Sequence, residues 1–220
     1  PVTETIHVGG DSAPLKFRAA YNDGFGTVTS STDFNDNTTF YGYDGLGRLT
    51  GIVKPGDSME YPTVEYDYAL AVTFPLSIQG APPGQGMVNY VETRQRDQSV
   101  IRSPKSEMYF ISRQFVDGLG RNLLTKTEAE PEVEGGPPRV TIANAILFNA
   151  RRGVRSVLNP FFSMLGGDLA AQLTFEHLES PLWDGQFHNE GNLVNLSLLT
   201  AHQTVSIYDA TLRETRKILP

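Results

Sequence analysis

Cysteine is absent from this sequence of 220 residues, which excludes a disulfide framework, a thiolate metal centre and a thiol nucleophile. Basic runs are lacking too. Residues 1–110 carry 13 acids and 8 bases, and residues 111–220 carry 12 and 10, for a net charge of −7. No strip can neutralise a row of phosphates, so nucleic acid is not expected as a partner. No stretch approaches the roughly 18 uninterrupted apolar residues of a membrane-spanning helix, so no span is expected. The sequence starts on Pro1, with no basic segment leading into an apolar one, and stops at Pro220 just after the strand-like Arg216-Lys217-Ile218-Leu219. Both ends read as cuts in a longer polypeptide.

Charged residues are only 20%, too few for a long coiled coil, while hydrophobic residues at 39% are too many for a disordered chain. What is plentiful is Gly (21), Pro (14) and Phe and Tyr (12 and 9). That mixture predicts a turn-rich, all-β protein.

The turns repeat. Asp44-Gly45-Leu46-Gly47-Arg48 recurs identically as Asp117-Gly118-Leu119-Gly120-Arg121, and Asp23-Gly24-Phe25-Gly26-Thr27 is a diverged copy. Looser relatives are Phe148-Asn149-Ala150-Arg151-Arg152-Gly153-Val154 and Tyr208-Asp209-Ala210-Thr211-Leu212-Arg213. Asp-Gly is a strong hairpin signal, so the first glycine, Gly45 or Gly118, is expected at positive φ. The second glycine is expected to permit another unusual angle or a bulge. Strand-like flanks enclose both identical copies, such as Thr38–Tyr43 and Arg48–Val53 around the first. Unequal spacing between copies rules out a regular propeller or solenoid. Val140–Phe148 reads as one buried strand, 80–86 as a loop, and Leu165–Leu178 as the one helical stretch inside an irregular segment near 164–200.

Tyr43-Asp44-Gly45-Leu46-Gly47-Arg48, followed by Val53-Lys54-Pro55-Gly56-Asp57, resembles the YD repeat of RHS proteins. Phe115-Val116-Asp117-Gly118-Leu119-Gly120-Arg121 is similar to the form found in SpvB/TcB-type proteins, which include the B component of bacterial Tc insecticidal toxin complexes. Asn159-Pro160-Phe161-Phe162-Ser163 and the entry into Tyr208-Asp209 resemble later landmarks of that family. Leu212, Glu214 and the reversed Arg152-Gly153 depart from its pattern.

The resemblance implies YD-repeat hairpins in a large spiralling sheet, the RHS shell, that encapsulates a toxin cargo. The chain is then a non-enzymatic stretch of wall, secreted or delivered to a target cell in a toxin complex. Its implied partners are the rest of the shell, the enclosed toxin polypeptide and other components of the complex. Residues 1–163 form the repeat sheet, 164–201 an insertion, and 202–220 the start of the next repeat. The structural motif residues are Tyr43, Asp44, Gly45, Gly47, Arg48, Asp117, Gly118, Gly120, Arg121, Phe161, Phe162, Tyr208 and Asp209.

The chemistry outside the repeats is thin. His7, His177, His188 and His202 match no zinc spacing, and no cofactor is expected. Asp33-Phe34-Asn35-Asp36-Asn37 begins like a calcium loop, but Thr38 stands where that loop turns on glycine, so a polar β-turn is the expectation. Arg48 and Arg121 are expected to pair with a nearby acid or carbonyl. Tyr41, Tyr43, Tyr66, Tyr68, Tyr90 and Tyr109 fit cross-strand packing; the alternative is a glycan- or surface-binding face.

Overall fold

The computed structural model describes residues 2–7, 9–10, 13–76, 84–97, 109–148, 153–163, 169–173, 188–189, 192–193, 203–208 and 214–219. Ten strands follow one another: β1 (Val2–Ile6), β2 (Leu15–Tyr21), β3 (Val28–Thr32), β4 (Thr38–Tyr43), β5 (Leu49–Val53), β6 (Val64–Leu76), β7 (Gly84–Arg96), β8 (Tyr109–Val116), β9 (Asn122–Ala129) and β10 (Arg139–Ala143). They hydrogen-bond in chain order, and β13 (Phe161–Phe162) completes a sheet of 11 strands. β11 (Ile146–Phe148), β12 (Val154–Leu158), β16 (Gln203–Tyr208) and β17 (Glu214–Ile218) make a second sheet, and β14 (His188–Asn189) pairs with β15 (Asn192–Leu193). The sole helix among the described residues is α1, Leu169–Gln172. The fold is therefore all-β and antiparallel, as the composition predicts.

Two expectations change at the level of single elements. Val140–Phe148 is not one strand: Asn144 takes φ 53°, and the chain leaves β10 in one sheet to enter β11 in another. Asparagine tolerates that left-handed angle because its short amide bonds locally, so the break falls there. Residues 84–86 belong to β7 and not to a loop, and residues 80–83 lie outside the described set. Of the predicted helix at Leu165–Leu178, Leu169–Gln172 is helical, and 165–168 and 174–178 lie outside the described residues.

Packing divides the chain into two compact units. The first comprises residues 1–67 and 93–111. Its strand β1 is exposed along its whole length, β2 to β4 are half-buried or exposed throughout, and β5 is half-buried except for Val53. Its most buried groups gather at Val53, Thr63 and Tyr109.

The second unit comprises residues 68–92 and 112–220. It holds a true core of Val88, Phe115, Leu124, Ile142, Ala145 and Leu158, with Tyr90, Leu123 and Phe161 packed against it. Strand alternation explains the set: Phe115 faces Leu124 across β8–β9, and Ile142 faces Phe161 across β10–β13. Ala145 and Leu158, from the second sheet and its approach, supply another layer, joined where the Leu158 amide donates to the Ala145 carbonyl.

Candidate functional site

The two identical pentapeptides fold into one closed circuit, repeated atom for atom. In the first, the Asp44 amide donates to the Arg48 carbonyl at 2.9 Å, and the Gly47 amide to the Asp44 carbonyl at 3.0 Å. The Asp44 carboxylate then folds back over its own turn. Oδ1 accepts the amides of Leu46 and Arg48, each at 2.9 Å, and Oδ2 accepts Arg48 Nε at 2.6 Å. In the second, Oδ1 of Asp117 takes the amides of Leu119 and Arg121 at 2.9 Å, and Oδ2 takes Arg121 Nε at 2.7 Å. Side chain and backbone share the work of a turn that water would otherwise solvate.

These bonds favour the ionised carboxyl. The Arg48 amide, first of all, holds Asp44 below the ordinary aspartate value of 3.8; desolvation opposes it, and the guanidinium and the Leu46 amide add to it. For Asp117, desolvation is the largest influence and pushes upward, but the combined bonds from Arg121 and Leu119 outweigh it, and the carboxyl again ends below 3.8. The arginines therefore clamp their own turns as pair partners of a nearby acid.

The second glycine takes the unusual angle expected of it, and the first does not. Gly47 and Gly120 have φ of 77° and 76°, whereas neither Gly45 nor Gly118 has a positive φ. The loop has three residues and ends on a left-handed residue, with a bulge on the outgoing strand. The bulge is visible in the register: Tyr43 pairs with Leu49, but Gly42 pairs with Gly51; Val116 pairs with Asn122, but Phe115 pairs with Leu124. Phe25 packs onto the first of these turns, since a Cβ on Gly47 would lie 2.9 Å from its ring.

The looser relatives keep this register where they are described. Phe148 pairs with Val154 and Leu147 with Ser156; Tyr208 pairs with Glu214 and Ile207 with Arg216. Asp209 and the other tip residues at 149–152 and 210–213 lie outside the described residues. At the diverged copy, Asn22 and not Asp23 is the capping residue. Its Oδ1 accepts the amides of Gly24 and Phe25, and its loop is one residue longer, Tyr21 pairing with Val28.

The stretch that begins like a calcium loop is another clamped turn. Asp33 Oδ1 accepts the amides of Asn35 and Asn37, its Oδ2 accepts Asn37 Nδ2 at 3.1 Å, and Asp36 takes the left-handed angle at φ 61°. The Asn37 side chain and amide hold the Asp33 carboxyl below 3.8, with the Asn35 amide adding and desolvation opposing. Its kinship to the other turns is hidden in the sequence because Asp36 replaces glycine and Asn37 replaces arginine.

Of the remaining motif residues, Tyr43 donates its hydroxyl to the Val28 carbonyl at 2.8 Å. Phe161 packs on the core of the second unit, while the half-exposed ring of Phe162 lies beneath the Arg139 guanidinium, 3.5 Å from its centroid. Tyr208 closes the β16–β17 pair.

Two polar locks escaped the sequence reading. In the first unit, Asp57 accepts Arg96 Nη1 at 2.6 Å and the Thr63 hydroxyl at 2.5 Å, and the Thr63 hydroxyl accepts the Lys54 amide at 2.8 Å. Tyr109 donates to the Pro62 carbonyl at 2.9 Å, so the 54–63 loop is fastened at both ends. In the second unit, Arg113 Nε reaches Glu92 Oε2 at 2.7 Å, and Arg113 faces Lys126 across β8–β9. Lys126 is fully buried, and its Nζ donates to the Gln172 carbonyl at 2.9 Å. Arg113 Nη1 also reaches the Leu173 carbonyl at 3.2 Å. No sequence signal distinguishes these charges from an ordinary solvated face, because strand alternation does not label its two sides.

No protein-family model matches the chain, and no curated protein sequence matches it. Solved structures do. The chain is similar in fold to TcdB2-TccC3, at 17% identity and a TM-score of 0.54 over 93% of this chain. It is also similar to TcdB2-TccC3 without its hypervariable C-terminal region (16%, TM-score 0.52) and to TcdB2-TccC3-Cdc42 (15%, TM-score 0.51), each again over 93%. The chain spans 10% of the first of those chains and 13% of the other two. The likeness is one of fold.

Proposed function

We propose that this chain is a stretch of wall in an RHS-repeat shell that encapsulates a toxin polypeptide. Its role is structural and not catalytic. Tyr43, Asp44, Gly45, Gly47, Arg48, Asp117, Gly118, Gly120, Arg121, Phe161, Phe162, Tyr208 and Asp209 are its repeat-motif residues, residues 164–201 an insertion, and 202–220 the opening of the next repeat. The partners are the remainder of the shell, the enclosed polypeptide and other toxin-complex components, and the assembly is secreted or delivered to a target cell.

The observation that carries this reading is the recurrence of one turn circuit, with one bulged register, along a sheet whose strand order follows the chain. The fold likeness to TcdB2-TccC3 over 93% of the chain supports it. A wall also suits the first unit, whose strands stay half-exposed until something covers them. The glycan-face alternative loses support because four of its six tyrosines are engaged internally. Tyr41 bonds Ser31, Tyr43 the Val28 carbonyl and Tyr109 the Pro62 carbonyl, and Tyr90 packs on Phe115.

Protease protection tests the proposal. The complete polypeptide that contains this chain is treated with a nonspecific protease, with and without mild acid or detergent to open the shell. An enclosed segment resists digestion until the shell opens. Digestion of every segment at its free rate in the closed assembly overturns encapsulation.

A further inference from the structure

The second unit pairs a very short helix with one fully buried cation, Lys126, and one half-buried cation, Arg113. α1 has one turn, Leu169–Gln172, closed by the Leu173 amide donating to the Leu169 carbonyl at 3.0 Å. One turn has no stability of its own, because nucleation outweighs a single hydrogen bond. It is held by the sheet instead. Lys126 Nζ binds the Gln172 carbonyl, Arg113 Nη1 binds the Leu173 carbonyl, and Gln172 Nε2 donates to the Pro138 carbonyl at 2.7 Å. Both cations thus meet the carbonyl end of the helix, where positive charge is favoured. Leu173 inserts beside them at 1% exposure.

What lies under the helix is as informative as what holds it. Alternation places Lys126 on the same face as Leu124, and Arg113 on the same face as Phe115, so both cations occupy core-facing positions. Apolar residues there would close the layer permanently, because exposing them to water is costly. Charged groups behave in the opposite way: they gain hydration when uncovered. Arg113 also bonds Glu92 and lies over the Tyr90 ring, 5.0 Å from the centroid, and neither contact involves the helix.

We propose that Leu169–Leu173 is a latch that lifts as a unit from the β8–β10 face, shut by Lys126 and Arg113 and tolerated open because the surface it uncovers is charged. The sheet beneath stays intact when it lifts, so the opening is local and not a step of global unfolding.

Pulse acetylation of the intact protein across a urea series tests this. Lys16 and Lys54, both exposed, serve as references. Lys126 is expected to react through an opening whose urea dependence is much shallower than that of global unfolding. Leu173→Ala is expected to speed its labelling at least tenfold while amide exchange in the β8–β9 ladder stays unchanged. Labelling of Lys126 with the urea dependence of global unfolding overturns the latch. So does a Leu173→Ala variant that loosens the β8–β9 ladder equally. If that variant fails to fold, the wild-type urea series decides alone.

Discussion

The two units reach order by different means. In the second, Phe115, Leu124 and Ile142 are sealed beneath Ala145 and Leu158, and apolar burial does most of the stabilising. In the first, β1 to β5 contribute Val53 as their one buried residue, and order is concentrated in the turns at 22–27, 33–37 and 44–48 and in the Asp57–Thr63–Arg96 lock. A sheet whose strands are mostly only half-buried can still fix its register where its connections are chemically closed. The turn Asp117–Arg121 sharpens the point: it has the same atoms and the same bonds as Asp44–Arg48, yet it is set beside a packed core.

The largest test of this contrast lies in the cores. Phe115→Ala, at a residue 1% exposed, is expected to cost about 3–5 kcal/mol, the usual price of emptying a buried aromatic site. Phe40→Ala, at 44% exposure in the first unit, is expected to cost less than about 1 kcal/mol. Equal losses in chemical denaturation would erase the distinction between the units.

Turn geometry gives the next effect. Gly47→Val and Gly120→Val are expected to destabilise by roughly 1–3 kcal/mol, since a β-branched residue resists left-handed backbone. Gly47→Val is the worse of the two, because the new Cβ meets the Phe25 ring, whereas Gly120 has open space around it. Gly45→Val and Gly118→Val, with open space and no positive φ, are expected to change stability by less than about 1 kcal/mol. The opposite ranking in thermal melts would return the left-handed residue to the first glycine.

The smallest effect is the pH dependence. Asp33, Asp44 and Asp117 are held below 3.8 in the fold, so their stabilisation is complete above that value and lost as pH falls through their lower folded values. A variant with Asp33→Asn, Asp44→Asn and Asp117→Asn keeps an oxygen acceptor for the turn amides, as Asn22 does naturally. Its melting temperature is expected to fall less steeply than that of the wild type below about pH 3.8. Parallel slopes would show that the clamps owe nothing to charge.

Much of the fold was legible in particular residues. The Asp-Gly-Leu-Gly-Arg copies located two hairpins, because aspartate and glycine in that order suit few other conformations. The same signal misled at finer scale: Asp-Gly suggested a positive φ at Gly45 and Gly118, while Gly47 and Gly120 take it. Asn22 was hidden because Asp23 stood beside it, and Asp33 because its turn has no glycine. Glu92, Arg113 and Lys126 were illegible for a deeper reason. Lys126 is covered by a helix whose Gln172 lies 46 residues further along the chain, and no local pattern encodes such a partner.

The strand order has a consequence for how the chain acquires its shape. From β1 to β10 each strand hydrogen-bonds to the one made just before it, so every pairing joins neighbours in sequence and little entropy is spent on distant encounters. A chain of this kind can fold as it leaves the ribosome, adding one strand at a time to an edge already in place. Each clamped turn closes on bonds made within five residues, so the register of the following strand is set locally.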